Sequence, residues 1–422
     1  MSKPLYVISC PFDTYSGYGA RARDYIKAVV DTDKYEVKLL AQRWGETAWR
    51  FCEHHPEWKW LYDLQLPGNK LNTKPDIWSQ ITIPNEFQPV GKYNIGITAG
   101  IETTACKPEW IEGLNRMDVN FVSSEHTRKV FSSLNFEQKD KDNTTKHVKL
   151  EKPIEVLFEG ANLEIYKPIP AKEVTDIDLS NIKEEWCYLF VGHWMQGDFG
   201  HDRKNVSKLV KAFFEVFKNK KHCPALILKA SKGMASYYSR EQILKSILNI
   251  KKMVNSSNLP NIYLLTGEFS DIEMNQLYNH PKVKAMVSFT KGEGFGRPLL
   301  EFSLTNKPII ASNWSGQVDF LNPKFNLLIG GKLEEVHPSS SNDWIIKESK
   351  WFQIDDGDAG KALTQVYDKY KPHLVNAKRQ GHYARTNFSY EKMVHLLDQL
   401  FVKYVPEFPE QVELTLPKLQ KI

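Results

Sequence analysis

Cysteine is scarce in this chain: there are five in 422 residues, Cys10, Cys52, Cys106, Cys187 and Cys223, and none forms a CxxC pair. An odd number at wide spacing indicates neither a disulfide framework nor a thiolate zinc site, and it suits a reducing compartment. Long apolar runs are lacking as well. The N-terminal stretch MSKPLYVISCPFD has one lysine and then a short apolar run before Asp13, too short for a signal-peptide core or a membrane span. The expected location is therefore the cytoplasm, with no integral membrane contact. Neither sign of charge dominates, since 56 basic against 51 acidic residues leave a net charge of +5, which permits a polyanionic partner without requiring one. The histidines, among them His54, His55, His126 and His193, are scattered with no second ligand at metal spacing, so they read as structural and no protein-held metal is expected. No short-period repeat or low-complexity segment is evident.

What is present is ordinary globular composition, 41% hydrophobic and 25% charged, in a chain long enough for two domains. Short apolar runs bounded by turn residues alternate with longer amphipathic stretches, the pattern of an α/β fold with parallel sheets covered on both faces. A first series predicts strands at Leu5–Cys10, Tyr35–Ala41, Tyr93–Thr98, Val119–Ser123 and Ile154–Phe158. A second predicts Cys187–Val191, Ala225–Lys229, Ile262–Leu265, Val283–Phe289 and Pro308–Ala311, with a helix at Val206–Phe217. The fold class is thus two Rossmann-like domains facing each other across a cleft. The expected boundaries are 1–170, 171–388 and a C-terminal helix and tail over 389–422 that packs back toward the N-terminal domain. The polar, proline-containing stretch Lys167–Glu185 reads as the interdomain linker. The Trp- and Pro-rich region Glu46–Pro89 reads equally as an acceptor-facing insertion or a packed connection, and the lysine-rich run Glu137–Lys152 as a solvated loop.

The segment from Lys291 to Asp319 carries the chemistry. It reads KGEGFGRPLLEFSLTNKPIIASNWSGQVD: a strand ending at Phe289, a glycine-rich turn, and a helix beginning near Pro298. Gly292, Gly294 and Gly296 would let the backbone approach a ligand closely and adopt positive φ, while the helix start presents unpaired N–H groups to an anion. Glu293 in the loop and Glu301 in the helix, with seven residues between them, face the same cleft at different depths. Two carboxylates also permit a hydrolase pair, which requires about 5 Å between them in the retaining geometry.

The glutamates with GFG and P between them, followed by KPIIAS and SG, resemble the glutamate-pair signature of retaining family 4 glycosyltransferases of GT-B fold, the glycogen synthase and phosphatidylinositol mannosyltransferase superfamily. Other pieces follow in family order. SGYGARARDYIKAV resembles the glycine loop in which Gly17 and Gly19 open a helix near the donor phosphate. FEGANLEIYKP resembles the element closing the N-terminal domain, with Glu159 in place of the usual asparagine. VGHWMQGDFGHDRKN resembles the start of the second domain, where an arginine and a lysine grip the diphosphate; Lys204 fits the lysine, and Arg203 substitutes for an arginine whose usual place holds His193.

The resemblance implies donor binding by Gly17, Gly19, Gly294, Phe295, Gly296, Arg297 and Glu301, and catalytic roles for Glu293, Lys204 and Arg203. Glu293 would contact the donor sugar and Glu301 the ribose hydroxyls. Arg297, where leucine is common, would either grip phosphate or pair with a carboxylate. The family's N-terminal histidine has no counterpart; TAGIETTACKPEW offers Glu102 instead. The expected donor is a UDP-sugar, with no further cofactor. The wording HWMQGDFGHDRKN and TKGEGFGRPLLEF resembles that of tailed-phage glycosyltransferases, some of which modify hydroxymethylated pyrimidines in DNA, so the acceptor stays open between such DNA and a glycan. Another enzyme on the same fold, such as a sugar-nucleotide epimerase or phosphorylase, and an inactive sugar-binding protein are the alternatives. Read as cleft-facing, Lys204 and Glu301 should be replaceable with little loss of stability.

Overall fold

A computed structural model describes residues 3–139 and 145–408. The N-terminal half runs β1 (Leu5–Cys10), α1 (Gly17–Asp31), β2 (Glu36–Ala41), α2 (Phe51–His54), β3 (Ile77–Ile81), β4 (Tyr93–Thr98), α3 (Pro108–Arg116), β5 (Val119–Val122), α4 (Glu125–Ser133), β6 (Asn135–Lys139), β7 (Thr145–Lys149) and β8 (Ile154–Val156). Six of these strands form a parallel sheet in the order β2-β1-β3-β4-β5-β8. Their near-continuous apolar character follows from helices covering both faces.

The second half repeats the plan: β9 (Cys187–His193), α5 (Val206–Phe217), β10 (Ala225–Ser231), α6 (Tyr237–Met253), β11 (Ile262–Leu265), α7 (Asp271–Asn279), β12 (Val283–Ser288), α8 (Arg297–Ser303), β13 (Ile309–Ser312) and β14 (Leu327–Ile329). Its parallel sheet has the order β11-β10-β9-β12-β13-β14. An antiparallel pair, β15 (Gly331–Glu335) and β16 (Lys350–Ile354), stands off this sheet, followed by α9 (Asp356–Asp368), α10 (Tyr370–Asn387) and α11 (Tyr390–Tyr404). Helix α11 leaves the second domain and buries Met393, Leu397, Leu400 and Phe401 among Tyr6, Ile8 and Tyr25 of the first.

Three sequence expectations change. The Trp- and Pro-rich region contains a central strand, β3, whose five residues are all buried; Ser79 and Gln80 interrupt its apolar run, and the prolines nearby hide it. Part of the lysine-rich run is a β-hairpin, β6 with β7; residues 140–144 lie outside the described residues. The stretch Lys167–Glu185 is no free linker. Side chains on α7 hold it, Asn279 accepting from the Ile169 N–H at 3.1 Å and Gln276 from the Thr175 and Asp176 N–H groups at 2.9 and 2.8 Å, while Leu179 and Ile182 are buried.

Packing is tight enough to fix several glycines. A Cβ at Gly113 on α3 would lie 1.7 Å from the Pro84 carbonyl oxygen, whereas one at Gly330 meets nothing within 4 Å. Gly113→Ala is expected to lose about 1–3 kcal/mol or more through forced backbone movement, and Gly330→Ala less than about 0.5 kcal/mol. Denaturant titration checks both; equal losses would contradict the packing described.

Candidate functional site

In each sheet the chain leaves its first strand to one side and later returns to the other: β1 stands between β2 and β3, and β9 between β10 and β12. At such a switch point the loops beyond the strand ends diverge and leave a crevice, the place where open α/β sheets bind ligands. The loop after β9 carries Arg203 and Lys204; the loop after β12 is the glycine-rich turn. Topology thus brings together residues that the sequence holds about ninety positions apart.

Lys204 Nζ donates to both oxygens of Glu293, at 2.5 and 2.7 Å. Arg203 adds a second cation: its Nη1 donates to the Gly292 carbonyl at 2.7 Å and lies 3.4 Å from Glu293 Oε2, and its Nη2 is 3.7 Å from Glu102 Oε1 of the opposite domain. The Glu293 N–H donates to Ser315 Oγ at 2.9 Å, which fixes the loop. Burial pushes the Glu293 carboxyl up, but Lys204 and then Arg203 outweigh it, and its pKa ends below the ordinary value. For Lys204 burial prevails over the Glu293 charge and the pKa is lowered. His193 projects from the end of β9, its Nδ1 2.9 Å from Ser231 Oγ; desolvation, then Lys204, Arg203 and Lys229, lower its pKa, so it adds little charge to the site.

Glu301 sits in a second cluster. Arg297 Nε donates to Glu301 Oε1 at 2.8 Å, the Tyr278 hydroxyl donates to Oε2 at 3.2 Å, and Arg297 also pairs with Asp24 on α1 across the cleft. Of the two roles open to Arg297, this structure displays carboxylate pairing. Burial pushes the Glu301 carboxyl up to about 7, with Arg297 opposing. Glu159 is buried nearby, accepts from the Ser123 hydroxyl at 3.2 Å, and is raised chiefly by desolvation.

The glycine turn differs from its expectation. Only Gly296 has positive φ, at 100°, where it caps α8. A Cβ on Gly292 would lie 1.9 Å from the Glu102 carbonyl oxygen, and one on Gly294 2.2 Å from that of Ala99. These two glycines let the backbones of the two domains meet, so their need for glycine is explained by protein rather than by ligand. Phe295 points into the core, its ring 5.0 Å from Phe320, and offers the cleft only backbone. Across the cleft, Ser16 caps α1 by accepting from the Gly19 N–H at 2.9 Å, and Gly17 is exposed with open space about it. Gly19 packs against Thr14.

Sequence reasoning missed Asp24 and Tyr278, the partners of Arg297 and Glu301; an unpaired arginine in the motif was the one available signal. It also set His126 aside. That residue lies at the interface with its ring 4.6 Å from Trp314, and its Nε2 is buried without a hydrogen-bond partner. Among the described residues no group of three His, Cys, Asp or Glu side chains is arranged to hold a metal ion, and no helix is long and apolar enough to cross a membrane.

No family model matches the chain, and no curated protein matches it. Solved structures do. Sucrose-phosphate synthase from Thermosynechococcus elongatus is similar at TM-score 0.63 and 13% identity, over 95% of this chain and 98% of that one. A glycosyltransferase from Rickettsia africae is similar at TM-score 0.60 and 12% identity, over 96% and 99%. Anabaena HepE in complex with UDP and glucose is similar at TM-score 0.56 and 10% identity, over 95% and 100%. These likenesses establish the fold: two Rossmann-like domains in the GT-B arrangement.

Glu301 supplies a pH test. Its folded pKa, raised to about 7, exceeds the unfolded value near 4.3, so the native state holds its proton more tightly and stability falls as pH rises between these values. Replacing Glu301 by Gln should flatten this decline in the melting temperature between pH 4.5 and 7. An unchanged slope would contradict the assignment.

Proposed function

We propose that the chain is a retaining glycosyltransferase that moves a sugar from a UDP-sugar to an acceptor hydroxyl in the cytoplasm. The reading rests on one observation: two cations, Lys204 and Arg203, converge with Glu293 at the switch point of the second sheet, in the order the family motif follows. In glycosyl transfer the barrier is departure of a diphosphate from an anomeric carbon with oxocarbenium character, so fixed positive charge beside the leaving group lowers it most. Lys204 and Arg203 supply that charge, and the reading needs no cofactor besides the donor. Glu293 holds Lys204 in place and contacts the donor sugar; Glu301 takes the ribose hydroxyls. Each Glu301 oxygen accepts one bond, from Arg297 and from Tyr278, which leaves lone pairs for the ribose hydroxyls. The backbone around Gly294 and Gly296 and the exposed start of α1 at Gly17 lend dipoles to the phosphates, while Gly19, its N–H held by Ser16, shapes that start. The UDP and glucose held by HepE support the choice of nucleotide. The acceptor is a glycan or a hydroxymethylated pyrimidine of phage-type DNA.

Incubation with UDP-[14C]glucose and candidate acceptors tests the reading. Transfer with the α-configuration kept supports it; an epimerised sugar nucleotide, or binding without turnover, overturns it. Lys204→Ala should lower transfer by roughly 10²–10³. The pair with Glu293 is buried, with 15% and 10% of the side chains exposed, so, against the expectation of little loss, this variant leaves the carboxylate with Arg203 alone, at 3.4 Å, and should cost about 1–3 kcal/mol. Adding Glu293→Gln should restore stability without restoring transfer, as thermal melts and rates of the single and double variants will show.

A further inference from the structure

The segment after β2 is strung along the loop that leads into α1. The Tyr15 N–H donates to the Ala48 carbonyl at 3.0 Å, the Phe51 N–H to the Asp13 carbonyl at 3.1 Å, and Thr14 pairs with Trp49 in an antiparallel bridge. Buried Asp13 ties the segment down further, accepting from the Cys52 N–H at 2.8 Å and the Tyr62 hydroxyl at 3.0 Å. A row of rings results. Trp44 stacks on Tyr18 with centroids 3.8 Å apart and planes at 22°, Phe51 stacks on His55 at 3.9 Å and 11°, and the Tyr15 hydroxyl lies 2.9 Å from His54 Nδ1. Trp44 and Trp49 keep part of their surface exposed.

This row borders the cleft. Tyr15 and Tyr18 flank Gly17, the Tyr18 hydroxyl is 2.8 Å from Thr98 Oγ1 and 3.2 Å from the Ala99 N–H, and Ala99 is the residue whose carbonyl meets Gly294. From the other domain, the Glu268 charge is felt at Tyr15. Nothing in the donor chemistry uses these rings.

We propose that Trp44, on its Tyr18 support, is the acceptor-binding surface, and that the acceptor is an uncharged saccharide laid with its apolar C–H face on Trp44. This rests on the glycosyltransferase reading above and chooses between its two acceptors. Stacked, hydrogen-bonded rings present a flat apolar area whose rotamers are already fixed, so little ordering cost attaches to a flat partner. The charges decide its class. Between Gln42 and Asp63 the chain has Arg43, Arg50 and Lys59 against Glu46, Glu53, Glu57 and Asp63, and Arg50 lies 3.6 Å from Glu53. Single-stranded nucleic acid binds where stacking rings line a positively charged groove; here the cations against the rings, Arg43 6.0 Å from the Trp49 ring and buried Arg23 3.5 Å from that of Phe51, are offset by Glu57 3.5 Å from His55, by Glu53 beside Arg50 and by buried Asp13, so the row forms no positively charged groove and suits sugar hydroxyls better than phosphodiesters.

The test titrates the full chain, saturated with UDP, with maltose, methyl α-glucoside, methyl β-glucoside and a 12-mer oligodeoxynucleotide containing 5-hydroxymethylcytosine, following tryptophan fluorescence and transfer from UDP-[14C]glucose. At least one saccharide should quench fluorescence and accept glucose. Trp44→Ala should weaken its binding about tenfold or more while UDP binds within about threefold of the parent, and Trp44→Phe should recover most of the loss. Response to no saccharide, response to the oligonucleotide alone, or saccharide binding that Trp44→Ala leaves unchanged overturns the proposal. Failure to bind UDP at all would instead refute the donor reading, and is read separately from the saccharide titration of the nucleotide-free chain.

Discussion

The close approach of two backbones governs this molecule. Gly292 and Gly294 lie where any side chain would strike the Glu102 and Ala99 carbonyls, and Gly316 lies where one would strike Gly294. Because three segments meet without side chains between them, the loop after β12 is wedged between the N-terminal domain and the turn after β13. That wedge sets where the Glu293 carboxylate can go. Once it is placed, Lys204 and Arg203 must converge on it, since a buried carboxylate without partners is far more costly than one held by two cations.

Electrostatics then divides the two glutamates of the motif. Glu293, between two cations, is held ionised; Glu301, given one arginine that it shares with Asp24, is pushed up to about 7 by burial. The same residue type in one signature therefore has two characters, set by surroundings. Arg297 is one link between the halves of the cleft, because its guanidinium spans α8 and α1. A ligand that displaced Arg297 from Glu301 would loosen this link and so couple its binding to the contact between domains.

Much of this was legible in the sequence, and the losses have physical causes. Ten strands of the two sheets follow from apolar runs between turn residues. Strand β3 escaped because its buried Ser79 and Gln80 break the apolar run, and β14 because three residues give too short a run. The motif indicated Glu293, Glu301 and Lys204 as a group, but partners from distant segments, Asp24 and Tyr278, carry no local signature. Glycine was correctly marked as necessary at Gly292 and Gly294, yet the neighbour that demands it is another loop. Phe295 was placed among donor contacts by its position in the motif, whereas its side chain belongs to the core. The aromatic row after β2 was visible as composition, and only the pairing of Ala48–Phe51 with Asp13–Tyr15 revealed that it borders the cleft.

The central claim is that the Lys204, Arg203 and Glu293 cluster is one half of a nucleotide-sugar site facing the start of α1. A crystal structure of the chain soaked with UDP-glucose addresses it most directly. Density for the diphosphate beside Lys204 and the Gly294 to Gly296 backbone, with the ribose at Glu301, is the result the account predicts. A nucleotide bound elsewhere, or bound with Lys204 and Glu293 still paired to each other and out of reach of it, would contradict the account.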